Sequence, residues 1–166
     1  YQEIVRYANE HHISMFSSSA MRFTEFVKCA KAHVTDKSEI VVSGPLSFIQ
    51  EIPDYHWYGI HLLEILDEIV DTSLKITSFN TSDTEERIQF KANNQQLEMI
   101  GIKVGNPQFK VCVDGKNFEL EETLYEALLK EIAKFMKTSQ SPVSTTERIM
   151  SLLEEINQCK READKI

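Results

Sequence analysis

Two histidines, two tyrosines, the only tryptophan and two acids crowd into one short stretch, Asp54-Tyr55-His56-Trp57-Tyr58-Gly59-Ile60-His61-Leu62-Leu63-Glu64. The apolar pattern downstream makes this stretch a loop running into a helix, whose free N–H groups and positive dipole end favour oxyanions. His61 falls in the opening turns, where an imidazole can exchange a proton near neutral pH. Gly59 lets the backbone pass close to another group, a ligand included. On residue types alone, the plainer reading is a hydrogen-bonded core histidine among packing aromatics. A metal site built from His56, His61 and Glu64 is weaker. His61 and Glu64 share a helical face, but His56 lies five positions away on another side, and no HExxH spacing is present.

A second group is Ser17-Ser18-Ser19-Ala20-Met21-Arg22-Phe23. Loops that leave strands of an open α/β sheet commonly face ligand, so Arg22 can clamp a carboxylate or phosphate and the serines can bond sugar-like hydroxyls. The plainer alternative is a serine cap followed by a solvated arginine. The glycines show neither GxGxxG nor GxxxxGK[ST], and no GxSxG elbow or cysteine nucleophile with a local partner occurs.

These residues need elements to position them. Residues 2–12 read as an amphipathic helix with Ile4, Val5, Tyr7 and Ala8 on one stripe, followed by a short strand at Ile13-Ser14-Met15-Phe16. That order is half of a β-α-β crossover, and with Tyr1 in first place it reads as a chain cut from a longer one. A second helix spans 22–34, a strand bounded by Pro45 and Pro53 spans 39–48, and a helix runs on from Trp57. Strands follow at 74–80, 85–92, 97–104, 108–113 and 117–120, with turns at Asn93-Asn94 and Asp114-Gly115, predicting an antiparallel meander. Ile88, Phe90, Phe109, Val111 and Val113 should face helices, and Gln89, Lys91 and Lys110 water or a partner sheet. Helices at 121–137 and after the capping-box sequence Ser144-Thr145-Thr146-Glu147 close the chain, the latter burying Ile149, Leu152, Leu153 and Ile156. The fold class is therefore α+β, an open, mainly antiparallel sheet with helices packed on one face.

Composition narrows the partners. The chain has 166 residues, 42% of them apolar, enough for one domain with a real core. A net charge of −8 without a basic stripe argues against nucleic acid. No apolar run is long enough to cross a membrane and no secretory leader pattern is present. Cys29, Cys112 and Cys159 form no CxxC pair and read as reduced, mostly buried thiols of a cytoplasmic protein.

The stretch Tyr1–Phe23, with YANEHHISMFSSSAMRF, and VSGPLSFIQEIPDYHWYGIHLLEILDEIV, from Val42 to Val70, resemble the Gfo/Idh/MocA family of oxidoreductases. The first is similar to the end of that family's nucleotide-binding domain, the second to the opening of its C-terminal domain, and YGIHLLE is the more specific motif. The resemblance implies that residues 1–20 are a remnant of a Rossmann domain and 21–166 a substrate and dimerisation domain. It implies a parent enzyme that uses NAD or NADP to interconvert hydroxyl and carbonyl groups of a sugar, cyclitol or similar compound. The family lysine and phosphate-binding glycines are absent from this chain, which alone should bind no cofactor and not turn over. His61 matches the family's acid/base histidine, but Trp57 stands where an Asp is usual. Either Asp54, Tyr58 or His56 substitutes for that acid or the chemistry differs. By the same resemblance Arg22, His56, Trp57 and Tyr58 are substrate-side residues, Trp57 stacking on a sugar face. Homo-oligomerisation through the open sheet face and contact with the chain's own Rossmann domain complete the expected partners. Two other readings stay open: a non-catalytic ligand sensor of the same fold, and a free-standing module that dimerises through its sheet.

Overall fold

β-branched and aromatic alternation carries six segments into one sheet. A computed structural model of the chain describes residues 1–52, 54–120, 124–163 and 165. Its strands are β1 (Glu39–Pro45), β2 (Lys75–Thr81), β3 (Glu85–Ala92), β4 (Gln95–Ile102), β5 (Lys110–Val113) and β6 (Lys116–Glu119). The helices are α1 (Gln2–Glu10), α2 (Glu25–Lys31), α3 (Gly59–Val70), α4 (Leu124–Thr138) and α5 (Thr146–Ala163), with short 3₁₀ turns at Ala20–Phe23 and Asp54–His56. The α+β class read from the sequence is the one observed.

Strand order corrects the simple meander. The sheet runs β2-β3-β4-β1-β5-β6, and β1 lies parallel to β4 between two antiparallel units. β4 and β5, adjacent in sequence, are thus held apart by an earlier strand. The hairpins follow the turn chemistry. Asp114 and Gly115 take φ of 50° and 83°, matching a right-twisted two-residue loop between Val113 and Lys116. Asn93, at the other turn, takes φ of 52°.

One sheet face is the core. Ile40, Val42, Ile88, Phe90, Leu97, Met99, Val111 and Val113 are buried there against the helices. α3 is apolar nearly all round and runs through the centre, with Leu62, Leu63, Ile65 and Leu66 fully buried. Burying each such side chain contributes about 1.5–3 kcal/mol. The helix stops at Asp71, whose φ of 48° is left-handed and whose N–H returns to the Asp67 carbonyl. α5 buries Ile149, Leu152, Leu153 and Ile156 as its stripe predicted.

Several local expectations shift. The predicted strand at 13–16 is not a strand and lies outside the sheet, since no strand among the described residues pairs with it. The predicted 22–34 helix is a 3₁₀ turn and then α2, with Thr24 extended between them. β1 ends at Pro45; Pro53, the other predicted limit, lies outside the described residues, as do positions 121–123 of the predicted 121–137 helix. The capping-box hydroxyls are spent on tertiary bonds: Thr145 donates to Asp67 Oδ2 at 2.7 Å and Thr146 to the Ser17 carbonyl at 3.2 Å. None of the three free cysteines is buried, and Cys29 is exposed. No helix among the described residues is long and apolar enough to cross a membrane.

Candidate functional site

The site is built where the 17–23 turn lies along the first turns of α3. An apolar helix that carries Glu64, Asp67 and Glu68 at three- and four-residue steps must find cations or N–H donors for that edge. The turn supplies them. Ser19 N–H donates to Glu64 Oε2 at 2.7 Å and the Ser18 hydroxyl to the same oxygen at 3.0 Å. Arg22 spreads over three carboxylates, with Nε 3.4 Å from Glu64, Nη2 3.0 Å from Asp67 and Nη1 3.1 Å from Glu68. Burial works against its charge, but Glu64 and Asp67 more than offset this, so its pKa stands above the ordinary arginine value. Arg148 of α5 binds the other Asp67 oxygen.

His61 rests on this pinned turn. Its Nδ1 lies 2.7 Å from Ser19 Oγ. The ring stands edge-on to Tyr58 at 5.9 Å and to Phe109 at 6.2 Å, and Tyr58 stands edge-on to Trp57 at 5.9 Å. Burial lowers the His61 pKa, since the charged ring loses hydration. Nε2 has no hydrogen-bond partner among the described residues, and no buried side-chain nitrogen or oxygen among them lacks one. Nε2 therefore meets solvent. The ring has one nitrogen held by the protein and one available from outside.

The five residues singled out by sequence thus separate. His61, Tyr58 and Trp57 form a continuous row of rings, its Trp57 end 40% exposed. His56 turns away, its Nδ1 3.2 Å from Asn157 Nδ2 of α5. Arg22 also points elsewhere: 5% exposed among three carboxylates, its fork is occupied within the domain rather than open to an incoming anion. Asp54, considered as a replacement for the usual acid, lies 3.8 Å from Arg161. Glu64, weighed as a metal ligand, is buried under Ser18, Ser19 and Arg22. Gly59 has a different reason from ligand approach, because an added Cβ would sit 2.3 Å from Tyr55 Cδ1.

Sequence reading missed two features. Ser19, grouped with its neighbours as a sugar ligand, is the residue against the imidazole. The second is a buried cluster in which the Tyr55 hydroxyl donates to Glu86, and Lys160 and Lys103 lie 2.8 and 3.4 Å from the other Glu86 oxygen. A signal existed, since Glu86 shares the core-facing parity of Ile88 and Phe90 and so had to be a buried carboxylate with donors.

Several solved structures share this fold. Superposition on the dehydrogenase MviM from Clostridium difficile gives a TM-score of 0.75 at 10% identity, covering 96% of this chain and 66% of that one. The WlbA (WbpB) dehydrogenase from Thermus thermophilus, solved with NAD and α-ketoglutarate, gives 0.66 at 9% identity over 84% of this chain and 54% of its own. D-galactose-1-dehydrogenase from Rhizobium etli gives 0.63 at 18% identity over 90% and 61%. The chain thus spans between about half and two thirds of the dehydrogenases it matches. No protein-family model matches the sequence, and no curated protein matches it either. This chain has the fold that these dehydrogenases share, in agreement with the fold expected from the resemblance.

The glycines present do not form a dinucleotide cradle. Gly44, Gly59 and Gly101 face Phe109, Tyr55 and Leu46 at 2.3–2.6 Å from an ideal Cβ, so their missing side chains make room for core packing. Gly105 and Gly115 have positive φ in open turns. No glycine of the chain sits in a cradle that a phosphate would fill.

Proposed function

We propose that this chain is the substrate-side part of an NAD(P)-dependent oxidoreductase of the Gfo/Idh/MocA family, acting on a sugar, cyclitol or similar hydroxyl–carbonyl compound. Residues 1–20 belong to the end of a nucleotide-binding Rossmann domain, and 21–166 form the substrate and dimerisation domain. The observation that carries this reading is His61: it matches the family histidine in sequence and stands in the opening turn of α3 with Nε2 open to solvent. In this reading His61 exchanges a proton or hydrogen bond with the reacting oxygen of the substrate. Tyr58 and Trp57 line the approach, with the exposed indole face available to a sugar ring. Arg22 serves by holding the 17–23 turn to α3.

Two surfaces support the partners. Ile4, Tyr7 and Ile13, within the 1–20 segment, are 63%, 59% and 54% exposed, apolar surface suited to packing with the rest of the Rossmann domain. Half-buried Val41, Ile100, Ile102 and Cys112 lie on the sheet face opposite the helices, where a second copy would cover them. Sedimentation equilibrium should show a dimer that Ile100→Lys disrupts.

The test is turnover by the complete natural polypeptide, which should oxidise or reduce a sugar-type substrate with NAD(P), while His61→Asn retains the fold and loses at least a hundredfold in kcat, as removal of an acid/base group does. Unchanged turnover in that variant overturns the assignment. A non-catalytic sensor of the same fold is the second reading. It is favoured by one observation: among the described residues no carboxylate bonds to His61, and position 57 holds an exposed tryptophan. Ligand binding without any cofactor-linked turnover in the complete protein would select it.

A further inference from the structure

The contact between Ser19 and His61 settles more than the ring's position. A serine hydroxyl has one proton to give and two lone pairs to accept with. One lone pair of Ser19 Oγ already accepts the Met21 N–H at 3.2 Å. If the second accepted a proton from His61 Nδ1, the hydroxyl's own proton would need another acceptor. Among the described residues Nδ1 is the only such atom in bonding range of Ser19 Oγ, and Ser19 is 7% exposed. A buried hydroxyl proton left unpaired is the costlier arrangement. Ser19 therefore donates and Nδ1 accepts, which leaves Nε2 to carry the proton of the neutral ring.

The geometry points to Ser19 as a positioning residue that holds neutral His61 in its Nε2–H form, so that the nitrogen facing solvent is a hydrogen-bond donor. The complementary ligand atom is a hydrogen-bond acceptor, which in a hydroxyl–carbonyl pair is the carbonyl oxygen of the oxidised member. To take a proton from a hydroxyl at Nε2, the ring must first change tautomer, and the Ser19 proton must turn away from Nδ1. Glu64 acts one step further back. Its Oε2 accepts from the Ser19 N–H and the Ser18 hydroxyl, and Arg22 Nε lies 3.4 Å from the same oxygen. A serine run that looks like a set of sugar ligands thereby becomes the support of the imidazole. This inference rests on the oxidoreductase reading for its ligand class, but the tautomer itself does not.

The test is long-range ¹H–¹⁵N correlation spectroscopy on the chain labelled at histidine, above the pH at which His61 titrates, with the signals assigned by their loss in His61→Asn. His61 should show a protonated Nε2 and an unprotonated Nδ1. Ser19→Ala should lose this single pattern, its Nδ1 shift moving towards the protonated value as the two tautomers mix, and Ser19→Thr, which keeps the hydroxyl, should restore it. A wild-type His61 protonated at Nδ1 overturns the proposal, as does a Ser19→Ala spectrum identical to wild type. The wild-type spectrum decides even if Ser19→Ala fails to fold. Because the readout needs neither substrate nor turnover, the tautomer can fail while the oxidoreductase reading stands, and the reverse.

Discussion

Arg22 and Asp67 meet at 3.0 Å with their side chains only 4% and 1% exposed, joining the 17–23 turn to the middle of α3. Both charges are out of water, so each depends on the other and on Glu64, Glu68 and Arg148 for its solvation. Replacing Arg22 with Met leaves buried carboxylates without their central cation. The expected loss is about 3–5 kcal/mol, read as a lower denaturant midpoint with an unchanged slope. A change within experimental error would show that the pair contributes nothing to the fold.

Tyr55→Phe removes a donor from Glu86, a fully buried carboxylate, and should cost about 1.5–3 kcal/mol, as for hydrogen bonds to charged groups. Burial raises the Glu86 pKa, but the bonds from Lys160 and Tyr55 and the charges of Lys160 and Lys103 outweigh it and bring it below the ordinary carboxylate value. A depressed folded pKa contributes stability above the unfolded value of about 4.3, lost as pH falls through the folded value. The variant's Glu86 titrates closer to the ordinary value. Its acid-dependent contribution is therefore smaller, and its loss is complete at a higher pH, measurable by unfolding at a series of pH values.

His61 should titrate below the ordinary histidine value of about 6.5, because burial penalises the imidazolium. The unfolded chain then binds a proton more readily than the folded one. Stability from this group is fully present above about pH 6.5 and declines as pH falls towards the folded pKa. An NMR titration midpoint at or above the ordinary value would contradict the half-buried placement of the ring.

Gly59→Ala puts a methyl 2.3 Å from Tyr55 Cδ1, and that ring is fixed by its bond to Glu86. Overpacking of this kind costs about 1–3 kcal/mol, against at most about 1 kcal/mol gained in helix propensity. The net expectation is a lower melting temperature. An alanine that stabilises the protein would mean that Tyr55 yields more than its anchoring allows.

Trp57→Ala should cost less than the roughly 3–5 kcal/mol of truncating a fully buried aromatic, since the indole is 40% exposed. In the complete protein the same change should weaken substrate binding, seen as a raised KM. A large destabilisation with no effect on KM would reassign the indole to packing.

Residue order by itself determined most elements and the face that each buries. Ile88, Phe90, Val111 and Val113 point into the core because period-two alternation encodes the pleat locally, and Asp114-Gly115 turns because those two residues tolerate positive φ. The placement of His61 in the opening turn of α3 was legible for the same reason. Tertiary structure alone decided that β1 enters the sheet between β4 and β5, since one alternating strand can pair with any other. It also decided that Arg22 turns to Asp67 rather than outward, and that Ser19 meets His61 across 42 positions of sequence. Local periodicity fixes backbone angles and buried faces, but a polar side chain goes wherever the finished fold brings it a partner, and those partners are distant in the chain.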